Sequence, residues 1–394
     1  MVSFNDRAID SIAAAGRAAV TRRGLLGTSA KVAGGGTLAL SGLGSARTGG
    51  GVFAQDATPV VGDLQGAQAG LDPQMQQVLE KLQDLNKIPT VTQTPFNARQ
   101  LPSPADAVAA LLAERGEAAQ EAVAGVEHQL ITTPNGDLIG RVYTPDGQAP
   151  FPVLVYFHGG GFVIANLNTY DASCRALANA AGCVVVSVAY RQAPENPFPA
   201  AADDAYFSFQ YVAENASQFV GDPDRVAVAG ESAGGNLVAV VSLLARDQGG
   251  IEPIHQVLVY PITTYQPEGE GAETIQEYAT AQPLNAALLD WFEGFYAPDP
   301  ASPSASPLLA ADLSGLPPAT IIAAEIDPLQ GQGRQYADAL EAAGNDVTYT
   351  LYEGVTHEFF GTGAVVDQAN DAVAEAADRL RKSFDVRGDG TPTA

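Results

Sequence analysis

Gly230-Glu231-Ser232-Ala233-Gly234-Gly235 is the stretch that decides the fold. It follows a β-branched run, Arg225-Val226-Ala227-Val228-Ala229, that reads as a buried strand. It precedes Asn236-Leu237-Val238-Ala239-Val240-Val241, which opens a long apolar helix. A strand, a tight glycine turn and a helix place Ser232 at the end of the strand, with its neighbouring amides at a helix N-terminus where negative charge is favoured. The pattern G-x-S-x-G alone is short enough to arise by chance, so its meaning depends on partners elsewhere in the chain.

Outward from that turn, unbroken apolar runs alternate with helical patterns: Val153 to Phe157, Val184 to Val188, Val226 to Ala229, Val257 to Tyr260, Ala319 to Ala324 and Val347 to Tyr352. Such strands mean a mostly parallel sheet covered on both faces, an α/β architecture. An antiparallel hairpin comes first: Gln129 to Thr133, the turn residues Pro134-Asn135-Gly136, then Leu138 to Tyr143. Two helices precede it. One is capped by Asp72 with Pro73 at its first position, and the other starts at Ser103-Pro104 with Asp106 in its first turn.

Serine-based acyl transfer needs a base, a carboxylate to orient it and donors for an oxyanion. The chain has four histidines. His128 lies in the hairpin and His255 just before a strand, which suits structural roles. His357 follows the last strand, at the carboxyl edge where sheets of this type place their sites. Asp327, just past the run Ala319 to Ala324, is favoured as its carboxylate over Glu325. The second glycine turn, His158-Gly159-Gly160-Gly161-Phe162, directly follows a strand and offers backbone amides. It lacks the spacing of phosphate loops, and His158 is expected to brace it.

These motifs, in this order, resemble the hormone-sensitive-lipase-like esterases of the α/β-hydrolase fold. The resemblance covers about residues 71 to 385. It is carried by HGGGF at 158–162, Tyr190 to Glu195 with Phe198-Pro199-Ala200, GESAGG at 230–235, Ser306-Pro307-Leu308, Asp327-Pro328-Leu329 and His357. It implies a sheet of about eight strands with helices on both faces and a helical cap. It also implies Ser232 as nucleophile, His357 as general base and acid, Asp327 as its partner, and an oxyanion hole from the amides of Gly160, Gly161 and Ala233. The N-terminal helices at 71–126, with a contribution near 270–300 around Trp291 and Tyr296, would form the cap over a catalytic domain at 127–385. The implied activity is hydrolysis of short- to medium-chain carboxylic esters through an acyl-enzyme, without cofactor or metal. An amidase or peptidase with the same triad, or a non-catalytic ligand-binding relative, are the alternatives.

The chain departs from the family at three places. Glu231 stands where Asp is usual, Gln330-Gly331-Gln332-Gly333 replaces an acidic pair, and Glu358 replaces the glycine after the histidine. Glu358 is expected to point outward into solvent.

The resemblance implies a small-molecule ester as partner, and composition excludes two other classes. A net charge of −25 repels nucleic acid and anionic lipid. Lysine occurs only at Lys31, Lys81, Lys87 and Lys382, which fits salt adaptation and a GC-rich genome equally. Thr21-Arg22-Arg23-Gly24-Leu25-Leu26 resembles a twin-arginine export signal, so residues 1–54 are expected to be a signal segment, with the mature protein exported to the periplasm or beyond. Lys31 and Gly34-Gly35-Gly36 break the apolar stretch too early for a stable membrane anchor. A linker at 55–70 and a disordered tail at 386–394 complete the expected organisation. A homodimer is compatible with it. Cys174 and Cys183 fall on a helix and the following strand, an arrangement that favours two buried thiols over a disulfide.

Overall fold

The structure, a computed structural model, describes residues 70–118 and 121–388. The expected signal at 1–54 lies outside those residues, as do nearly all of the expected linker and residues 389–394 of the expected tail.

Three helices come first: α1 (Pro73–Leu85), α2 (Pro95–Ala98) and α3 (Pro104–Arg115). The Asp72 carboxylate accepts from the amides of Gln74 and Met75 at the start of α1, and Ser103 and Asp106 cap α3 reciprocally. The hairpin β1 (Gly125–Thr133) and β2 (Gly136–Thr144) follows, in the register Thr133 to Gly136. Alternation then begins with β3 (Phe151–Phe157), α4 (Asp171–Ala181), β4 (Val184–Val188), α5 (Ala200–Glu214), β5 (Gly221–Glu231) and α6 (Ala233–Gln248). It continues through β6 (Gln256–Val259), α7 (Glu270–Glu277), α8 (Ala286–Tyr296), β7 (Ala319–Ile326), α9 (Gln330–Ala342), β8 (Val347–Thr356) and α10 (Asp367–Gly388).

The eight strands form one sheet in the order β1-β2-β4-β3-β5-β6-β7-β8, with every pairing from β4 to β8 parallel. Alternate residues feed two cores, as the period of a strand requires. Val153, Val155 and Phe157 of β3 join α5, α6 and α9 on one face. Leu154 and Tyr156 join α4 and α10 on the other. Each fully buried aliphatic side chain contributes about 1.5–3 kcal/mol, so the doubly covered strands are the stable frame on which the loops are hung.

The N-terminal helices belong to the second layer. Met75, Val78 and Leu79 of α1 and Val108, Leu111 and Leu112 of α3 share a cluster with α4, α10 and Phe360. In residues 71–126 it is the short turn Thr90–Thr92, through Val91, that reaches α8.

Candidate active site

The β5–Ser232–α6 connection is as sharp as the sequence demands. Ser232 has φ 57° and ψ −115°, a backbone conformation that non-glycine residues adopt only under constraint from their surroundings. The constraint is close approach: a Cβ on Gly234 would stand 1.9 Å from the Phe157 carbonyl oxygen, so the helix can pass over the end of β3 only with glycine there. The Ser232 amide donates to the Val259 carbonyl at 2.9 Å, which fixes the turn to β6.

Three residues from separate strand ends meet at that turn. His357 Nε2 lies 2.9 Å from Ser232 Oγ, and His357 Nδ1 lies 2.7 Å from Asp327 Oδ2. Asp327 is fully buried, and its other oxygen accepts the Leu329 amide at 2.8 Å, so the carboxylate has a fixed orientation. Burial alone pulls the imidazole pKa down. The Asp327 carboxylate outweighs it, with Glu358 and Glu231 adding, and holds His357 above its ordinary value. Glu325, within β7, instead accepts the Gly354 amide at 2.7 Å.

The 158–162 loop lies beside Ser232. Gly160 and Gly161 have φ of 96° and 58°. A Cβ on Gly161 would fall 2.2 Å from the Phe292 ring, so α8 covers this loop directly. Among the described residues no protein group accepts a hydrogen bond from the amides of Gly160, Gly161 or Ala233. His158 is buried, holds the Gly159 carbonyl at 2.8 Å through Nδ1, and stacks on Tyr190 at 4.4 Å. Burial lowers its pKa to about 4, so it stays neutral and braces the loop. The 190–195 motif serves the same end: Tyr190 donates to the His158 carbonyl, Gln192 to Ile164 and the Ala193 amide to Phe162.

A cavity of about 180 Å³ opens beside Ser232. Phe162, Ile262, Leu284, Leu289, Phe292 and Leu329 supply its apolar wall, and Asp290 and Glu293 its acidic members. Ile275, Leu284, Ala286, Leu289, Asp290, Phe292 and Glu293 of the segment near 270–300 line it, and no described residue of 71–126 does. The physical reason is the apolar face of α1 and α3, which is spent on the α4–α10 layer. Gly331 explains part of the unusual 330–333 sequence, because a Cβ there would come 2.4 Å from the Glu270 carbonyl and push α7 off α9. Gln332 in turn accepts the amides of Thr263 and Thr264 and ties the loop after β6.

Two acidic residues behave in ways that the sequence did not disclose. Glu231 is buried beneath the elbow and accepts from the hydroxyls of Tyr156 and Tyr260, which come from the strands on either side. Burial, with Glu358 adding, raises its pKa to about 7 against those hydrogen bonds. Glu358 is turned mostly away from solvent, with its side chain 19% exposed. It has φ 70°, accepts from the Tyr170 hydroxyl at 2.6 Å, and lies 4.0 Å from His357 Nε2. The positive φ turns it inward, where adjacency in sequence to His357 could not show its direction.

The remaining candidates have structural partners. His255 bridges Ser383 and Thr320, His128 sits against Arg141, and both cysteines are free and buried. Among the described residues no three or more His, Cys, Asp or Glu side chains are grouped to hold a metal ion, and no helix is long and apolar enough to cross a membrane.

Comparison with known proteins agrees with the fold. A family model described as alpha/beta hydrolase fold matches residues 154–361, more than half of the chain. Carboxylic ester hydrolase LipN of Mycobacterium tuberculosis is 44% identical over 238 residues, which cover 58% of this chain and 62% of that protein; the match thus spans less than two thirds of that relative. Esterase LipI of the same organism is 40% identical over 259 residues, covering 64% of this chain and 80% of that one. Among solved structures, a serine-to-alanine mutant of an α/β-hydrolase enzyme from the metagenome of Lake Arreo, Spain, superposes with a TM-score of 0.73 at 38% identity, covering 81% of this chain and 100% of that one. The sheet order, the serine elbow and these likenesses together place the chain in the hormone-sensitive-lipase-like family of carboxylic ester hydrolases, within the α/β-hydrolase superfamily.

Proposed function

We propose that this protein hydrolyses short- to medium-chain carboxylic esters through an acyl-enzyme formed on Ser232. The observation that carries the reading is the continuous path from Asp327 Oδ2 to His357 Nδ1 at 2.7 Å and from His357 Nε2 to Ser232 Oγ at 2.9 Å. Ser232 Oγ attacks the ester carbonyl while its proton passes to His357 Nε2. The amides of Gly160, Gly161 and Ala233 receive the oxyanion. His357 then returns the proton to the leaving alkoxide, and a water activated by the same nitrogen releases the acid and restores Ser232.

Cavity size supports the chain-length limit. A protein cavity of about 150 Å³ holds benzene, so 180 Å³ suits an acyl tail of roughly six carbons. The test is initial rates on p-nitrophenyl esters of increasing acyl length, with Ser232→Ala and a matched anilide alongside. Serine-dependent turnover that peaks at short chains and is slow on the anilide is expected. Equal rates in Ser232→Ala, or an optimum at long chains, would overturn the proposal.

Export by the twin-arginine route is proposed from Arg22-Arg23 and the sequence around them. Replacing both arginines with lysine should leave the precursor inside the cell; unchanged appearance of mature protein outside would refute it.

A further inference from the structure

We propose that Glu358 is a positioning residue for the hydrolytic histidine: its carboxylate, held by the Tyr170 hydroxyl, stabilises positive charge on His357 from the Nε2 side as the proton arrives from Ser232. The proposal rests on the roles given above to Ser232, His357 and Asp327.

Backbone geometry is the first observation. Glu358 sits at φ 70°, where a glycine would be unstrained and a longer side chain costs stability. Strain of this kind persists only when the surroundings enforce it, and it gathers at functional sites. Placement is the second. Glu358 Oε1 is 2.6 Å from the Tyr170 hydroxyl and 4.0 Å from His357 Nε2. Tyr170 is buried at the start of α4, with its hydroxyl against the oxyanion loop: a Cβ on Gly159 would stand 2.3 Å from it. The third is what these two residues do not touch. Neither lines the cavity beside Ser232.

The division of labour with Asp327 follows. Asp327 holds Nδ1 and fixes the tautomer, whereas the transferred proton lands on Nε2, the nitrogen that Glu358 faces. Around the ring stand Asp327 from the end of β7, Glu231 and Ser232 from the elbow, and the Tyr260 ring at 4.4 Å from the end of β6. Around Glu358 stand Tyr170 from α4, His357 from its own loop, Glu231 from the elbow, Tyr260 from the end of β6, Tyr190 from beyond β4, and Asp327. Of these carboxylates, Glu358 is the one that comes within 4.0 Å of Nε2.

Glu358→Gln tests this, because it keeps the volume and an acceptor for Tyr170 and removes the charge. Removing an opposite charge at this distance should move the acid limb of the kcat/KM profile to lower pH by about one unit. At the plateau kcat should fall about tenfold with KM for a short p-nitrophenyl ester unchanged, since one pKa unit corresponds to a factor of ten. A second measurement needs no turnover: in a Ser232→Ala background, the His357 imidazole followed by NMR should titrate lower once Glu358→Gln is added than with Glu358 retained. An acid limb and a titration that superpose on those of the parent would overturn the proposal and leave Tyr170–Glu358 as a strut. A raised KM at unchanged kcat would overturn it too, by making Glu358 a substrate contact. Full activity in Ser232→Ala would instead refute the hydrolytic reading, while the titration would still report on the charge.

Discussion

Glu231→Gln should make the protein more stable at high pH, and by a predictable amount. Glu231 lies 1% exposed behind the nucleophile, between the hydroxyls of Tyr156 and Tyr260. Burial first, and the nearby Glu358 second, raise its pKa from 4.5 to about 7. With the folded value above the unfolded one, the unfolded chain ionises first as pH rises. The stability tied to the protonated form is therefore full below 4.5 and is lost as pH climbs through 7. A gap of this size corresponds to about 3 kcal/mol once ionisation is complete. Between pH 5 and pH 8.5 the share lost is about 2.5 kcal/mol by the same linkage. Glutamine cannot ionise, so the difference in unfolding free energy between variant and parent should widen by that amount across the interval. Equilibrium urea unfolding at both pH values measures it, and the slope with denaturant should be the same for both proteins. Other carboxylates titrate in both proteins and largely cancel in the difference. A difference that stays constant from pH 5 to pH 8.5 would mean that Glu231 remains ionised in its burial site, and the reasoning from desolvation would fail.

Asp327→Asn should lower kcat on a short p-nitrophenyl ester by about four orders of magnitude, because the imidazole loses the carboxylate that fixes its tautomer; near-normal turnover would show that another acid holds His357. Gly234→Ala places a methyl 1.9 Å from the Phe157 carbonyl, and the resulting overpacking should cost about 1–3 kcal/mol in thermal or urea unfolding together with most of the turnover. Phe292→Ala removes a ring from the cavity wall and from above Gly161, so the acyl-length optimum should move to longer chains in the same ester series.

What the sequence disclosed is what the backbone dictates locally. The strand before Ser232 and the helix after it are both visible as apolar runs, and glycine is the residue that a sharp turn between them requires. Asp327 and His357 were legible for a related reason. Parallel strands present their carboxyl ends on one edge, so a residue just past β7 and one just past β8 meet near a residue just past β5. The N-terminal helices were legible as helices, through Asp72 and Ser103, but not as to place. An apolar stripe such as Met75, Val78 and Leu79 states that a face is buried and is silent on which layer receives it. The short helices α7 and α8 depend on contacts made in place, such as the approach of Glu270 to Gly331, which no local pattern announces.

The carboxylates beneath the site show the limit most clearly. Tyr156 and Tyr260 reach Glu231 from β3 and from the end of β6, the strands on either side of β5. Their convergence is fixed by register, with Tyr156 opposite Ala229 and Phe157 opposite Gly230. A glutamate between two hydroxyls from opposite sides acts as a tie across three strands, directly under a serine in a strained conformation. Each bond to it is a charge-assisted one whenever the carboxylate is ionised, and such bonds are roughly twice as strong as neutral ones. The same burial that makes the tie rigid also pushes its proton affinity into the range where the enzyme would work. The elbow is thus held by a group whose charge is coupled, through Glu358, to the histidine that Ser232 needs.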